Sequence, residues 1–553
     1  MLFSGALLLL YGLLSLLWLF AFISVTIYDL RASERKRELR CRIQFNENEL
    51  RSLNYDFHFR QDGAHFSQCN PHLSADFDIF GKGSLYQYLN RSVSQGGRSR
   101  FAAALVACEQ SREVIKKRQE AIKELGGKQS FLESFQAVGS QIQESGSEVE
   151  NLVRWLREDS SKERFIGLAR FVMPLLTLAS LVLAIFGVVP YTLLTLMFLA
   201  SLAAVFSANA KLNRAHALLG RSAKIFDKYA VLIKLIEGEK FEGELLAAQR
   251  AKLSTGEHWA SESILQLKGL LNRFDYRCNV YVSLVLNGFL SFDFHTYMAL
   301  LVWKREHRDY VESWFDALYS VDSLLGLGLY AYNCGDATSY ATAHQGDFSI
   351  AAHNMGHPLI SADVRVNNSI EIAGKPSVVI ITGANMAGKS TFLRTLAVNL
   401  ILAMNGAPVP SDRFSFTPTH LFSSIKIQDS LMNRESYFYA ELLRLSAILE
   451  SVESEPNSMI ILDEILRGTN TRDKQQGSIG LLKKIIEKRG VAIIATHDLV
   501  IGRMEEDYPQ NVANYCFEVE IDGDQLSFDY KLKEGISSKL NASFLMRRMG
   551  IID

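Results

Sequence analysis

Cysteine is too sparse and too scattered to organise this chain. The six cysteines, Cys41, Cys69, Cys108, Cys278, Cys334 and Cys516, include no CxxC pair and no metal-ligand spacing. That argues against a disulfide framework or a zinc site and in favour of a reducing compartment. An excess of either charge is missing too: 59 Lys and Arg stand against 60 Asp and Glu, so any nucleic-acid-binding surface has to be local. Neither an internal repeat nor a long disordered tract breaks up the 553 residues, a length for several domains.

Charge is absent altogether from two stretches. Residues 1–28 are dominated by Leu, Phe and Ile, and at about 1.5 Å per helical residue they can cross a hydrocarbon core of roughly 30 Å. They lack the basic start and the small-residue cleavage site of a signal peptide, so they read as an anchor. Arg31, Arg35, Lys36, Arg37, Arg40 and Arg42 follow, which places the amino terminus outside. The second stretch, 171–210, is interrupted by GVVPY at Gly187–Tyr191 and reads as a transmembrane hairpin with basic residues beyond both ends. The expectation is a multi-pass protein of the inner, cytoplasmic membrane with three spans and with residues 29–170 and 211–553 inside.

What remains changes texture near residue 345. Segments 29–170 and 211–344 are rich in Leu, Ala, Glu, Lys and Arg at helical spacing; Val114, Ile115, Ala121, Ile122 and Leu125 make one apolar stripe. From 345 to 553, short β-branched runs alternate with helical ones: SVVIIT, SMIILDE and VAIIATH. Such alternation predicts a mostly parallel sheet with helices on both faces.

The chemistry sits at the ends of those runs. Gly383, Ala384, Asn385, Met386, Ala387, Gly388, Lys389 and Ser390 fit GxxxxGK[ST] between a strand and a helix, the setting of a phosphate-binding P-loop. There, backbone N–H groups and the helix amino terminus, joined by Thr391, cradle phosphate. Lys389 neutralises charge in the reaction and Ser390 ligates Mg2+. Asp463 and Glu464 end the next strand, one to hold Mg2+ and one to orient or deprotonate the attacking water. His497 ends the third and is positioned to sense the γ-phosphate. ATP and Mg2+ are therefore the expected cofactors, with Glu464, His497 and Lys389 catalytic.

These residues resemble the MutS family of ATPases within the ABC superfamily. TGANMAGKST is similar to its phosphate loop, DEILRGTNTRD (Asp463–Asp473) to its acid pair and RGT-containing loop, and ATHD to its switch histidine. Ser436, Tyr437, Phe438 and Glu441 resemble its S-[TY]-F-x-x-E segment, which implies that Ser436 contacts the nucleotide of a second subunit and that the chain is a homodimer. Ala384 and Ala387 stand where Pro and Gly are common in the family. The LSGGQ of transporter ATPases is absent.

Weaker likenesses, at Gly83–Leu105, YSVDSLLGLGLYAYN and GHPLI, extend the resemblance upstream. They imply an α/β P-loop ATPase domain of ABC type after a mainly α-helical, MutS-core-like domain. The family's mismatch reader has no counterpart: FNE at Phe45–Glu47 fits its Phe-x-Glu letters with no domain around it. The expected function is a membrane-anchored MutS-like ATPase that binds and hydrolyses ATP and binds DNA with little sequence or mismatch preference. The alternative is a nucleotide-switched membrane scaffold acting on protein or lipid without DNA. Arg91–Arg100 and Lys304–Arg308 are the candidate basic surfaces; a solvated charged face is their commoner meaning.

Overall fold

The computed structural model describes residues 2–142, 148–158, 163–220, 222–374, 377–426, 437–455, 457–522 and 525–537. A mostly helical amino-terminal region leads into an α/β domain. Two compact units interleave along the chain: 1–50, 130–239 and 254–312 form one, and 51–129, 240–253 and 313–553 the other.

Among its described residues the first unit is mainly helical. Two of its helices, Arg164–Ile185 and Tyr191–Ser207, are joined by the turn 186–190 and pack on each other. Their burial is the reverse of a water-soluble helix. Ala169, Thr177, Ser180, Ala184 and Ser201 are buried, whereas Phe165, Leu168, Phe171, Leu175, Leu196 and Leu199 are exposed.

Helix Val280–Leu290 lies against both. Ser201 Oγ donates to the Asn287 carbonyl at 2.7 Å, and Gly288 faces Phe198 so closely that a Cβ would lie 2.0 Å from its ring.

By length and apolarity alone, two helices among the described residues can cross a membrane, the long first helix (its stretch Tyr11–Leu53) and Arg164–Ile185. The pairs Tyr191–Ser207 with Asn209–Leu219, bent by 58°, and Val280–Leu290 with Phe292–His307, bent by 84°, reach the same threshold only jointly. The last pair was not anticipated: the mostly apolar, eleven-residue helix ending at Leu290 is too short for a span and sits inside a region whose charge suggested ordinary helices.

The second unit is built on a six-stranded sheet and a four-stranded one. In chain order the strands are β1 Thr342–Ala343, β2 Ser349–Met355, β3 Asn368–Ala373, β4 Ser377–Gly383, β5 Arg413–Phe416, β6 His420–Ser424, β7 Ser458–Asp463, β8 Val491–Thr496, β9 Val512–Asp522 and β10 Gln525–Glu534. The larger sheet has the order β10-β9-β4-β8-β7-β6 and is parallel except for the β9–β10 hairpin. The smaller is β1-β5-β2-β3. All residues of β7 and β8 are buried, as strands covered on both faces must be. Helix Lys389–Met404 is buried on nearly every side; its Phe392, Leu396, Leu400 and Met404 share one core with Leu85, Tyr86, Leu89 and Phe101 from the segment before.

Polar ties fix that earlier segment to the sheet. The fully buried Asp76 pairs with Arg444 and accepts from the Lys426 amide at 2.8 Å, and Asp78 meets Arg394 at 3.2 Å and Lys426 at 2.7 Å. Asp322, also fully buried, accepts from the Val93 amide at 3.0 Å, the Ser94 amide at 2.8 Å and the Ser94 hydroxyl at 2.5 Å. Gly97 covers this latch, and a Cβ there would lie 2.1 Å from the Asp322 carboxylate.

Candidate nucleotide site

Parallel register is what gathers the site. Thr496 on β8 stands opposite Thr382 on β4, and Ala495 opposite Asp463 on β7, so three strands deliver their carboxyl ends to one edge of the sheet. The loop leaving β4 begins at Gly383 with φ of 151° and ends at Gly388 with φ of 109°, both in the region that favours glycine. At Gly383 a side chain is excluded twice over, because a Cβ would lie 2.7 Å from the Phe517 carbonyl on β9. Ala384 and Ala387 are buried, so small side chains fill the places where the family commonly has Pro and Gly. Asn385 and Met386 project outward.

Lys389 is buried, and its ammonium donates to the carbonyls of Gly383 at 2.7 Å and Ala384 at 2.8 Å. Burial lowers its pKa, while Glu464 and Asp463 pull the other way. Ser390 Oγ donates to Asp463 Oδ2 at 2.5 Å. Burial raises the Asp463 pKa against the opposing effects of Ser390 and Arg467.

Glu464 follows with φ of 48° and Leu466 with φ of 58°, conformations that non-glycine residues hold only where the surroundings enforce them. The enforcement is visible. The Glu464 amide donates to the Ala495 carbonyl at 2.9 Å, and the Leu466 amide donates to the buried Glu441 at 2.6 Å. His497 Nδ1 lies 3.5 Å from one Glu464 oxygen and Arg467 Nε 3.4 Å from the other. A hydroxyl and a carboxylate in direct contact are hard oxygen donors of the kind Mg2+ takes, so Ser390 and Asp463 fit that ion.

Lys389, Ser390, Asp463, Glu464 and His497 thus converge, with Thr391 exposed on the first turn of the helix. Ser436 lies outside the described residues. Phe438 packs under Gly468, where a Cβ would lie 2.9 Å from it.

Sequence reasoning did not find the cavity of about 500 Å³ that opens beside the loop and is walled by Met355, His357, Asn368, Phe517 and Tyr530 as well as by Lys389, Ser390 and Thr391. Tyr530 and Phe517 come from the terminal hairpin, whose alternating residues carry no motif. His357, in the GHPLI stretch, is held neutral: burial and the nearby Arg394 bring its pKa down to about 4.

The candidate basic surfaces are only partly tied down, since Arg100, Arg305 and Arg308 stay exposed. Arg91 is buried against the Tyr88 carbonyl, Arg98 donates to the Val93 carbonyl at 3.0 Å and Arg100 pairs with Asp316. Lys304 is buried, with its ammonium on the carbonyls of Trp155 at 2.5 Å and Glu158 at 2.7 Å. Phe45–Glu47 lies within the helix Leu2–Leu53, where Asn46 donates to Glu133 at 2.9 Å.

Residues 379–545 match the family described as MutS domain V. Over 203 residues the chain is 31% identical to "MutS protein homolog 4" of Mus musculus and 30% identical to that of Homo sapiens, in each case covering 35% of this chain and 21% of the relative. Over 226 residues it is 30% identical to "DNA mismatch repair protein MutS" of Chlorobium phaeovibrioides, covering 40% of this chain and 25% of the relative. The chain therefore spans only about a quarter or less of the length of these relatives. The stretch 379–545 is thus similar to MutS domain V.

Proposed function

We propose that this protein is a membrane-anchored ATPase of the MutS type. The observation that carries the catalytic part is the meeting of Lys389, Ser390, Asp463 and Glu464 at one sheet edge, beside a cavity of nucleoside size. In the proposed P-loop, Lys389 exchanges the Gly383 and Ala384 carbonyls for β- and γ-phosphate oxygens. Ser390 and Asp463 open to hold Mg2+, which when bound neutralises charge developing on the phosphates. Glu464 orients the attacking water and accepts its proton, with His497 close enough to report on the γ-phosphate. The base lies between the loop and Tyr530, where an aromatic face is available. By family likeness, Ser436 completes the site of a second copy.

The membrane part is supported by the reversed burial of Arg164–Ile185 and Tyr191–Ser207. Large apolar side chains face outward and small or hydroxyl ones inward, the pattern of helices packed in lipid. DNA is the partner that the family suggests, and its binding is proposed to rest on phosphate contacts. The second reading, a nucleotide-switched scaffold that never touches DNA, gains from the ties of Arg91, Arg98 and Lys304 to backbone carbonyls.

One titration separates the two. Detergent-solubilised protein is mixed with matched, mismatched and branched DNA at several salt concentrations, with ATP or ADP. The first reading expects binding that falls steeply with salt, ignores a mispair and changes with the nucleotide. Strong mispair preference would reveal a reader in this chain, and no binding at low salt would leave the scaffold.

A further inference from the structure

At the start of helix Arg164–Ile185 the first unit encloses a recess of about 750 Å³ between that helix and Phe292–His307. Its lining mixes Gly167, Met298 and Leu301 with Arg164, Arg305 and Arg308, and Glu158 and Glu163 also face it.

Charge accounting shows that these arginines are not consumed by the acids around them. Glu158 is engaged by Arg214 at 2.6 Å and Glu163 by Lys211 at 3.0 Å, while Arg157 is engaged by Glu312 at 2.8 Å. Among the described residues Arg164 and Arg305 have no ion-pair partner, and Arg308 reaches only its exposed neighbour Asp309 at 3.4 Å.

We infer that this recess binds the phosphate of an anionic phospholipid, with the acyl chains leaving along the exposed Phe165 and Leu168. The inference rests on the membrane reading above, because it needs the foot of Arg164–Ile185 to lie at the headgroup level. Three features select lipid over a nucleic-acid backbone. The recess admits one headgroup and no duplex, Gly167, Met298, Leu301 and Val302 give it an apolar part, and it opens beside a helix apolar enough to cross a membrane. Basic pockets in this position on the positive-inside face are where anionic headgroups gather.

The test uses the full chain in an uncharged detergent, with lipid retention read by native mass spectrometry and unfolding midpoints read by heating. Phosphatidylglycerol is expected to be retained and to raise the midpoint, whereas phosphatidylcholine and inorganic phosphate do neither. Arg164→Gln with Arg305→Gln should weaken phosphatidylglycerol retention roughly 25-fold, from the attraction of two basic side chains near an anionic surface. Arg305→Lys, which keeps the charge and guards against misfolding, should retain most of it. Equal retention in wild type and the double variant would overturn the site. Stabilisation by inorganic phosphate as large as by the lipid would make it a general anion site instead. Loss of duplex DNA binding in the double variant, with lipid retention intact, would assign the arginines to DNA. A chain that stays soluble without detergent would instead remove the membrane reading itself.

Discussion

Ser390 and Asp463, 73 positions apart in the chain, share a hydrogen bond of 2.5 Å across the candidate nucleotide site. Burial raises the Asp463 pKa, so this carboxylate gains from a cation that replaces the hydroxyl proton. Ser390→Ala and Asp463→Asn are each expected to lower Mg2+-dependent ATP hydrolysis at least about 100-fold. ATP binding in the presence of a chelator should change little. Equal loss of chelated and Mg2+-bound nucleotide, measured by equilibrium titration, would mean that the pair only holds the loop together.

Glu464→Gln separates binding from turnover. The side chain is held between His497 and Arg467 on a backbone already at positive φ, so an amide of the same size fits without repacking. Hydrolysis should fall by about 10²–10⁴ while MgATP affinity stays within a few-fold. Lys389→Ala should do the opposite in the first instance and weaken binding itself. Single-turnover kinetics with radiolabelled ATP reads both, and wild-type turnover in Glu464→Gln would assign the water to another residue.

Asp322 gives a pH-dependent contribution to stability. Burial raises its pKa to about 6 despite the hydrogen bonds from Ser94 and Val93. The folded state therefore holds this proton more tightly than the unfolded chain does. Its contribution is fully present below about pH 4 and is lost as pH rises through about 6, amounting to about 3 kcal/mol. Asp322→Asn removes that slope, so the denaturation midpoint of the variant relative to wild type should rise between pH 4 and pH 7. At any pH the amide sets an N–H₂ against the Ser94 donors, an offset of about 1–3 kcal/mol. Gly97→Ala, which brings a Cβ against the same carboxylate, should destabilise without changing the slope.

Local chemistry was legible in the sequence and long-range pairing was not. Asp463, Glu464 and His497 sit at or directly after an apolar β-branched run and Lys389 and Ser390 follow one across a glycine-bounded loop, so strand ends could be read from letters alone. The parallel register that unites them follows from the same runs. The walls at Phe517 and Tyr530 come from an edge hairpin whose two faces alternate like any other. The latch of Asp322 on Ser94 joins positions 228 apart, and nothing in either neighbourhood announces it. Arg91–Arg100 and Lys304–Arg308 show why charge runs mislead, since a guanidinium or ammonium that caps a buried carbonyl is spelled like one that faces solvent. Helix Val280–Leu290 escaped notice because a short, mostly apolar helix suits a soluble core equally well; only the exposure of Val280, Tyr281, Leu284 and Val285 distinguishes it.

That helix sharpens the expected topology. Three spans put residues 188–189 outside and the carboxyl terminus inside. Val280–Leu290 rises only about 16 Å at helical pitch, half of a hydrocarbon core of roughly 30 Å. Phe289 lies against Phe198 with ring centroids 5.1 Å apart, and the chain turns away at Ser291, whose φ is 45°. Arg277, just before it, bonds Asn209 at 2.8 Å, at the other end of the neighbouring helix. The segment should thus dip into the bilayer from the inside and return without crossing. Single cysteines introduced at Val189, Leu284 and Leu290 in a background with Cys41, Cys69, Cys108, Cys278, Cys334 and Cys516 replaced by serine test this in intact cells. An impermeant maleimide should label Val189→Cys alone, and a bimane at Leu284→Cys should be quenched by brominated lipid in proteoliposomes. Labelling of Leu290→Cys from outside as fast as Val189→Cys would make the segment a fourth crossing. Quenching at Leu284 by aqueous iodide but not by brominated lipid would return the helix to a water-facing surface while leaving the hairpin in the membrane.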